Sequence, residues 1–209
     1  MTFDYDKDSK ERIPYSHYCE LFAQADPLEI SVRCNTQYDE DKKEFRLILM
    51  GDVITVKHPE GIFYDAQGNV ITDYSVMILL LRYLCENSYV RSSGNLLHYT
   101  QIPWGEVYFK NFEGRCIKRL AFGFGYDLEK FSAAMQKIPS EKMDMGDCAY
   151  SFEFLGGLKM VFILWGQDEE FPPSAQILFE DNFPSAFSAE DAAFAGDISI
   201  SKIKKLSQS

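Results

Sequence analysis

Hydrophobic and polar positions alternate with two different periods along this chain, and each period predicts a different kind of element. Apolar residues at every second position predict strands, whereas apolar residues three or four positions apart predict helices. Strand patterns occupy residues 44–50, 53–57, 62–64, 148–155, 158–165 and 175–179. Helix patterns occupy residues 14–25, 27–34, 74–85, 104–112, 115–122, 128–138 and 189–206, the last with a predicted break at Gly196.

Turn residues connect these strands into hairpins. Gly51-Asp52 lies between the first two strands, and Gly156-Gly157 lies between the pair 148–155 and 158–165. Both are typical of tight antiparallel connections. The order of elements is helices, hairpin, helices, hairpin, strand and helix, which favours an α+β fold over an alternating α/β fold. We expect an antiparallel sheet built from two hairpins with helices packed on it, as a single α+β domain over residues 13–209. Residues 1–12 are expected to form a flexible polar N-terminal arm.

Capping residues support the helix assignments. Asp26 before Pro27 predicts a helix start, as do Thr72 or Asp73 and the pair Ser188 and Asp191. The helix 74–85 is apolar nearly all round, so we expect it to be buried. Its one internal charge, Arg82, has two interpretations. It pairs with Glu86 or extends to the rim of the core, or it binds an anion in a pocket.

The balance of charge changes which partners are expected. The chain has 21 Lys and Arg against 32 Asp and Glu, a formal net charge of −11. A field of that sign repels phosphate backbones and anionic lipid surfaces, so we expect neither nucleic acid nor membrane as a partner. The longest apolar run, Val76 to Leu81, is too short to span a bilayer, and the polar start of the chain has no signal-peptide pattern. The expected location is the cytoplasm.

Standard chemical motifs are missing from the sequence. The five cysteines are widely spaced with no Cys-x-x-Cys pair, so free thiols are expected in place of a zinc site or an iron–sulfur cluster. The three histidines, His17, His58 and His98, fall in separate elements, so no metal site is predicted. No phosphate-binding glycine loop, metalloprotease motif or nucleophile elbow occurs.

The most concentrated polar group follows the strand 158–165. Asp168, Glu169 and Glu170 lie in the run Trp165-Gly166-Gln167-Asp168-Glu169-Glu170-Phe171-Pro172. Carboxylates at the end of a buried strand can hold a hard cation or act as general acid and base. The alternative is a solvated loop whose carboxylates cap local amides.

Three stretches of the chain resemble a known family. They are Ile78-Leu79-Leu80-Leu81-Arg82-Tyr83-Leu84, Pro103 followed by Tyr108 and Phe112, and the run from Leu164 to Pro172 with Ser174 to Phe179. Together they resemble the bacterial and archaeal family known as domain of unknown function 3786, over about His17 to Leu206. The resemblance implies a single domain found mostly in anaerobes, some of whose relatives carry an attached corrinoid-type iron–sulfur domain. It supplies no catalytic residues.

This chain departs from the family pattern at two places. Phe179 is followed by Glu180 before Asp181, where the family usually has Phe-Asp, and Arg82 stands where a histidine is frequent. These departures weaken any role assigned at either position through the resemblance.

The leading hypothesis is a cytosolic binding or accessory protein for a small molecule or an unidentified cofactor of anaerobic metabolism, with corrinoid-linked one-carbon chemistry as one form of it. An aromatic-rich chain without catalytic motifs is consistent with a ligand pocket. The expected ligand-binding residues are Arg82, Tyr83, Trp104, Tyr108, Trp165, Asp168 and Glu169. One alternative is an enzyme that uses Asp168, Glu169 or Glu170 as general base. The other is a protein-interaction module with an exposed apolar patch.

Overall fold

The structure is a computed structural model that describes residues 8–88 and 90–208. The chain divides at Val90 and Arg91 into two compact units. The first unit holds the N-terminal helices and hairpin, and the second holds the remaining helices and strands.

The first unit combines three α-helices with four short strands. Its strands pair in the order β1-β2-β3-β4, and every pair is antiparallel. The elements are a π-helical turn Asp8–Arg12, α1 Ile13–Gln24, α2 Pro27–Arg33, β1 Gln37–Asp39, β2 Glu44–Leu49, β3 Asp52–Lys57, β4 Ile62–Tyr64 and α3 Tyr74–Glu86. Of the predicted N-terminal arm, residues 1–7 lie outside the described residues, and residues 8–12 form the π-helical turn.

The hairpin β2–β3 turns through Met50 and Gly51, whose φ angles are 48° and 86°. Two successive positive φ values define the tight turn that matches the twist of antiparallel strands. The predicted hairpin is therefore present, with its turn one residue earlier than the sequence indicated. Buried and exposed residues alternate along β2, so one face of the hairpin is buried.

The helix α3 is anchored at both ends. The Asp73 carboxylate accepts hydrogen bonds from the amides of Ser75 and Val76, which confirms the predicted cap. At the other end Arg33 donates to the carbonyls of Leu84 and Asn87, each at 2.6 Å. A cation at a helix C-terminus satisfies carbonyls that have no partner within the helix. The side chains between these ends are mostly buried, as the apolar pattern predicted.

The second unit combines five α-helices with five strands. Its strands pair in the order β6-β7-β8-β9-β5, and every pair is antiparallel. The elements are β5 Leu96–His98, a 3₁₀ turn Tyr99–Gln101, α4 Gly105–Phe112, a π turn Glu113–Ile117, α5 Lys118–Phe124, α6 Leu128–Met135, β6 Ser140–Met143, β7 Cys148–Leu155, β8 Leu158–Trp165, β9 Ser174–Glu180, α7 Phe183–Ala186 and α8 Ala189–Leu206.

The last helix, α8, is continuous, so the predicted break at Gly196 is wrong. A side chain on Gly196 would place its Cβ 3.1 Å from the Cys116 sulfur, so this glycine permits close packing of α8 against the π turn. The Ser188–Asp191 capping box at its start is present as predicted. The β7–β8 hairpin turns through Gly156 and Gly157, both at positive φ, also as predicted.

The described residues therefore form an α+β structure whose strands all pair antiparallel within their units. The predicted fold class is confirmed, with the short strands β1, β5 and β6 added to the six predicted strands. A single domain over residues 13–209 stays a prediction. Among the residues that the structure describes, no helix has both the length and the apolar character needed to cross a bilayer.

Candidate functional site

A cavity of about 350 Å³ lies in the second unit, between the helical stretch that follows β5 and the edge of the sheet. Strand β9 forms one wall, because its residues 175–177 line the cavity, and α4 with the π turn forms the other. The lining residues are His98, Tyr99, Thr100, Phe109, Phe112, Ile117, Trp165, Ala175, Gln176 and Ile177. Aromatic and aliphatic side chains dominate this set, which is typical of small-molecule sites.

The helical wall owes its shape to the π turn Glu113–Ile117. A π turn is wider than an α turn, so Phe112 and Ile117, five residues apart, lie on the same side and both line the cavity. Such turns occur frequently at functional sites. The helix continues as α5 after this turn, so the widening is local to the cavity.

The floor of the cavity is a stack of aromatic rings. Tyr99 and Phe112 lie parallel with ring centroids 3.8 Å apart, and Phe179 is tilted against both. The Tyr99 hydroxyl donates to the carbonyl of Ala189 at 2.7 Å. Burial, with smaller effects of Cys116 and nearby Glu190 and Tyr108, raises the pKa of Tyr99 to about 12. The phenol therefore stays protonated and supports the floor as a hydrogen-bond donor.

The polar part of the lining is a pair formed across the β5–β9 ladder. His98 faces Leu178 in the register, which brings its ring beside the neighbouring side chain of Gln176. The Gln176 amide nitrogen lies 2.8 Å from His98 Nδ1. When that amide donates to Nδ1, the neutral imidazole carries its proton on Nε2. The pair then offers one N–H donor and one amide oxygen acceptor to a neighbouring group.

Of the sequence-predicted site residues, Trp165 is the one that lines this cavity. It ends β8 with 37% of its surface exposed. Trp104 and Tyr108 lie at the start of the adjoining helix α4 but not in the cavity lining. Trp104 is 77% exposed and has a φ of 68°, a left-handed backbone conformation that residues other than glycine rarely adopt.

Arg82 and Tyr83 lie in the first unit, where packing and hydrogen bonding within that unit account for both. The Arg82 guanidinium carbon is 5.2 Å from the centre of the Tyr18 ring, and the Tyr18 hydroxyl donates to Glu86. Tyr83 is buried, and its hydroxyl donates to the carbonyl of Cys34 at 3.0 Å. These contacts agree with the interpretation of Arg82 as a side chain at the rim of the core.

The three consecutive carboxylates are all exposed. Asp168 accepts hydrogen bonds from the amides of Glu170 and Phe171, at 2.8 and 2.7 Å, so its carboxylate closes a local turn. Glu169 and Glu170 project from that turn. The part of the chain that the structure describes contains no group of three or more His, Cys, Asp or Glu arranged to hold a metal ion. This arrangement matches the solvated-loop interpretation and lacks the convergence that a general base requires.

A second, more open groove lies on the first unit, with a volume of about 490 Å³. Its lining includes Glu44, Thr55, Lys57 and Tyr64. Lys57 already pairs with Glu44 at 2.6 Å across the hairpin. The third charge in the lining, Asp65, accepts hydrogen bonds from its own turn. Because its charged groups already have partners, this groove is less suited to hold a ligand than the aromatic cavity of the second unit.

Sequence reasoning did not identify His98, Gln176, Tyr99 or Phe109 as site residues. Their proximity depends on pairing between β5 and β9, which are separated by 75 residues or more of chain. Strand β5 has three residues, too few for a recognisable alternation. The available signal was the apolar pair Leu96-Leu97 directly before the polar His98.

Comparison with known proteins identifies the family. Neither the curated proteins nor the solved structures include a significant match to this chain. The family profile described as "Domain of unknown function (DUF3786)" matches residues 26–202, which is most of the chain and agrees with the resemblance seen in the sequence. The chain therefore belongs to the DUF3786 family.

Proposed function

We propose that the second unit binds a compact, planar and uncharged small molecule in the aromatic cavity beside Trp165. The observation that carries this proposal is the cavity itself, with its aromatic lining and the His98–Gln176 pair at its edge. Its volume of about 350 Å³ falls at the lower end of the usual range for ligand sites, roughly 300–1,000 Å³. A whole corrinoid is too large for such a space, so the proposal is limited to a smaller ligand.

The lining supports an uncharged ligand. None of the lining residues is Lys, Arg, Asp or Glu. An ionised ligand would lose its hydration without gaining a counter-charge, which costs several kcal/mol or more. A neutral ligand carries no such penalty, so the site selects for it.

The lining also supports a planar ligand with a polar edge. Trp165 and Phe109 both keep part of their ring surface exposed at the cavity, and aromatic faces favour stacking on flat rings. The His98–Gln176 pair supplies a donor and an acceptor side by side. A ring with an adjacent carbonyl and N–H, such as a carboxamide or a heterocyclic edge, satisfies both.

Two single-tryptophan variants test this proposal. The chain has two tryptophans. W104F leaves Trp165 as the only indole, at the cavity. W165F leaves the exposed Trp104, which precedes α4 and does not line the cavity, as the matched control. The probes are adenine and nicotinamide, with adenosine monophosphate and nicotinate as their charged counterparts.

In W104F, the fluorescence of Trp165 should change saturably as a neutral probe is added. The fluorescence of Trp104 in W165F should not change in the same way. The charged counterparts should bind at least tenfold more weakly, since the lining offers no counter-charge. An equal response from both single-tryptophan proteins, or stronger binding of the charged probes, would contradict the proposal.

A further inference from the structure

A second surface of the same unit combines exposed aromatic rings with carboxylates. Phe122 is 52% exposed, Tyr126 56% and Phe171 65%. The rings of Phe122 and Tyr126 contact each other with centroids 6.4 Å apart and an interplanar angle of 30°. Burying apolar side chains is favourable, and these three rings are not buried in the isolated protein. A partner that covers them would therefore gain binding free energy.

The end of α5 and the loop after β8 come together to form this surface. The amide of Gln167 donates to the carbonyl of Gly125 at 3.2 Å. A Cβ on Gly125 would lie 2.3 Å from the Cβ of Pro173, so the two segments are in close backbone contact. The turn closed by Asp168 holds Phe171 in this loop, between Gln167 and Pro173, the two residues that contact the end of α5.

The rim of this surface is strongly acidic. Residues 122–130 and 165–173 contain five carboxylates, all exposed, against the single cation Lys130. The carboxylates belong to Asp127, Glu129, Asp168, Glu169 and Glu170. We call these carboxylates and the three exposed rings the aromatic–acidic surface.

We propose that the aromatic–acidic surface docks a basic segment of a partner protein, with lysine or arginine residues flanking an apolar anchor. Charge complementarity supports this occupant, because carboxylates at the rim attract Lys and Arg while the rings receive the anchor and the cations. Aromatic residues are also enriched among the few residues that carry most of the binding energy of an interface. This inference is independent of the proposed ligand site.

Other occupants fit the same surface less well. In a symmetric dimer the surface would face its own copy, so five carboxylates would oppose five on chains that each carry a net charge of −11. Nucleic acid carries the same sign of charge as the rim. Among the residues that the structure describes, no acidic group is arranged to hold a metal ion, so a divalent cation is not the expected occupant.

The test is a selection of short random peptides on the full chain, followed by affinity measurements on the peptides obtained. The variants are F171A, which removes an exposed ring, and the double variant E169Q/E170Q, which removes two charges without changing shape. W104A is the matched control, since Trp104 is more exposed than Phe171 and precedes α4, with the π turn between it and the helix that carries Phe122.

Enriched peptides should contain Lys or Arg on both sides of an apolar residue, and F171A should weaken their binding at least tenfold. E169Q/E170Q should weaken binding at low salt and reduce its dependence on salt, whereas W104A should leave the affinity unchanged. The proposal is overturned if no peptide is enriched, if neutral or acidic peptides dominate, or if W104A lowers the affinity as much as F171A does.

Discussion

The two units expose different kinds of apolar side chain. Among the described residues each unit exposes eight large apolar side chains, but in the first unit all eight are Ile, Leu or Val, whereas in the second unit seven of the eight are aromatic. Single exposed aliphatic residues are normal on any protein surface. Exposed Trp, Tyr and Phe are enriched where proteins bind partners and ligands. This difference supports the proposals that place binding on the second unit.

The interiors of the two units, by contrast, follow the same rules. Tyr83 in the first unit and Tyr99 in the second are both buried, and each hydroxyl donates to a backbone carbonyl. Phe22 and Phe112 are both fully buried among other aromatic rings. The two units therefore have similar interiors and differ in the side chains that they expose.

Removing a core ring should reduce the free energy of unfolding more than any other change, and by a similar amount in both units. Phe22→Ala and Phe112→Ala each remove a fully buried ring, at an expected cost of about 3–5 kcal/mol in the free energy of unfolding. Urea titration measures both. Only F112A should also change binding of a neutral probe, because Phe112 lines the cavity. An equal loss of probe binding in F22A would remove the distinction between the units.

Alkaline pH should destabilise the protein through its buried thiols. Burial raises the pKa of Cys116 to about 12 and that of Cys85 to about 11, from an ordinary value of 9.0. The unfolded chain therefore loses these protons first, so the stabilising contribution is complete below pH 9 and is lost as the pH rises towards 12. For buried Cys116 the loss is roughly 1.4 kcal/mol per pH unit within that window.

The measurement is the midpoint of urea unfolding between pH 8 and pH 11, compared between the wild-type protein and Cys116→Ala. The variant should show a shallower decline above pH 9. An identical decline in both proteins would mean that this thiol does not contribute.

Removing a single buried hydroxyl should have a smaller effect. Tyr83→Phe and Tyr99→Phe each leave a backbone carbonyl without its donor, at an expected cost of about 1–3 kcal/mol. Thermal unfolding measures the loss in each unit. Tyr99→Phe keeps the ring of the cavity floor, so probe binding should persist; its complete loss would show that the hydroxyl contacts the ligand.

Relieving backbone strain at Trp104 should change the free energy of unfolding least, and it should increase the stability. Trp104→Gly removes the penalty of the left-handed conformation at φ 68° and loses little packing, because the side chain is exposed. The greater freedom of glycine in the unfolded chain offsets part of the gain. We expect a net stabilisation of about 0.5–1 kcal/mol in urea unfolding. A clear destabilisation would show that the indole packs against the protein.

Local sequence signals predicted much of the fold. Asp26, Asp73 and Ser188 cap helices where expected, and Gly156-Gly157 forms the predicted turn, because caps and tight turns depend on neighbouring residues. Strand β6 was missed because Glu141 and Lys142 make it polar, as is usual for an edge strand. The close packing that Gly196 permits depends on Cys116, 80 residues away, which no local pattern reveals.

The candidate site could be predicted only in part, because it too depends on contacts between residues far apart in the sequence. Trp165 was identified because a large aromatic residue at the end of a buried strand is conspicuous in the sequence. Its partners in the cavity, His98 and Gln176, meet through strand pairing between distant segments. Arg82 was conspicuous as a charge in an apolar helix, yet its guanidinium lies over the ring of Tyr18 within the first unit.

Filling the cavity tests whether it is the ligand site. Ala175→Phe places a ring into the cavity from strand β9, and Thr55→Phe, in the groove of the first unit, is the matched control. Each full-length protein is equilibrated by dialysis with a metabolite extract, and mass spectrometry quantifies the compounds enriched on the protein side. We expect the wild-type protein and T55F to enrich the same uncharged, planar compound, and A175F not to enrich it. Equal enrichment by A175F, or no enrichment by the wild-type protein, would contradict this expectation.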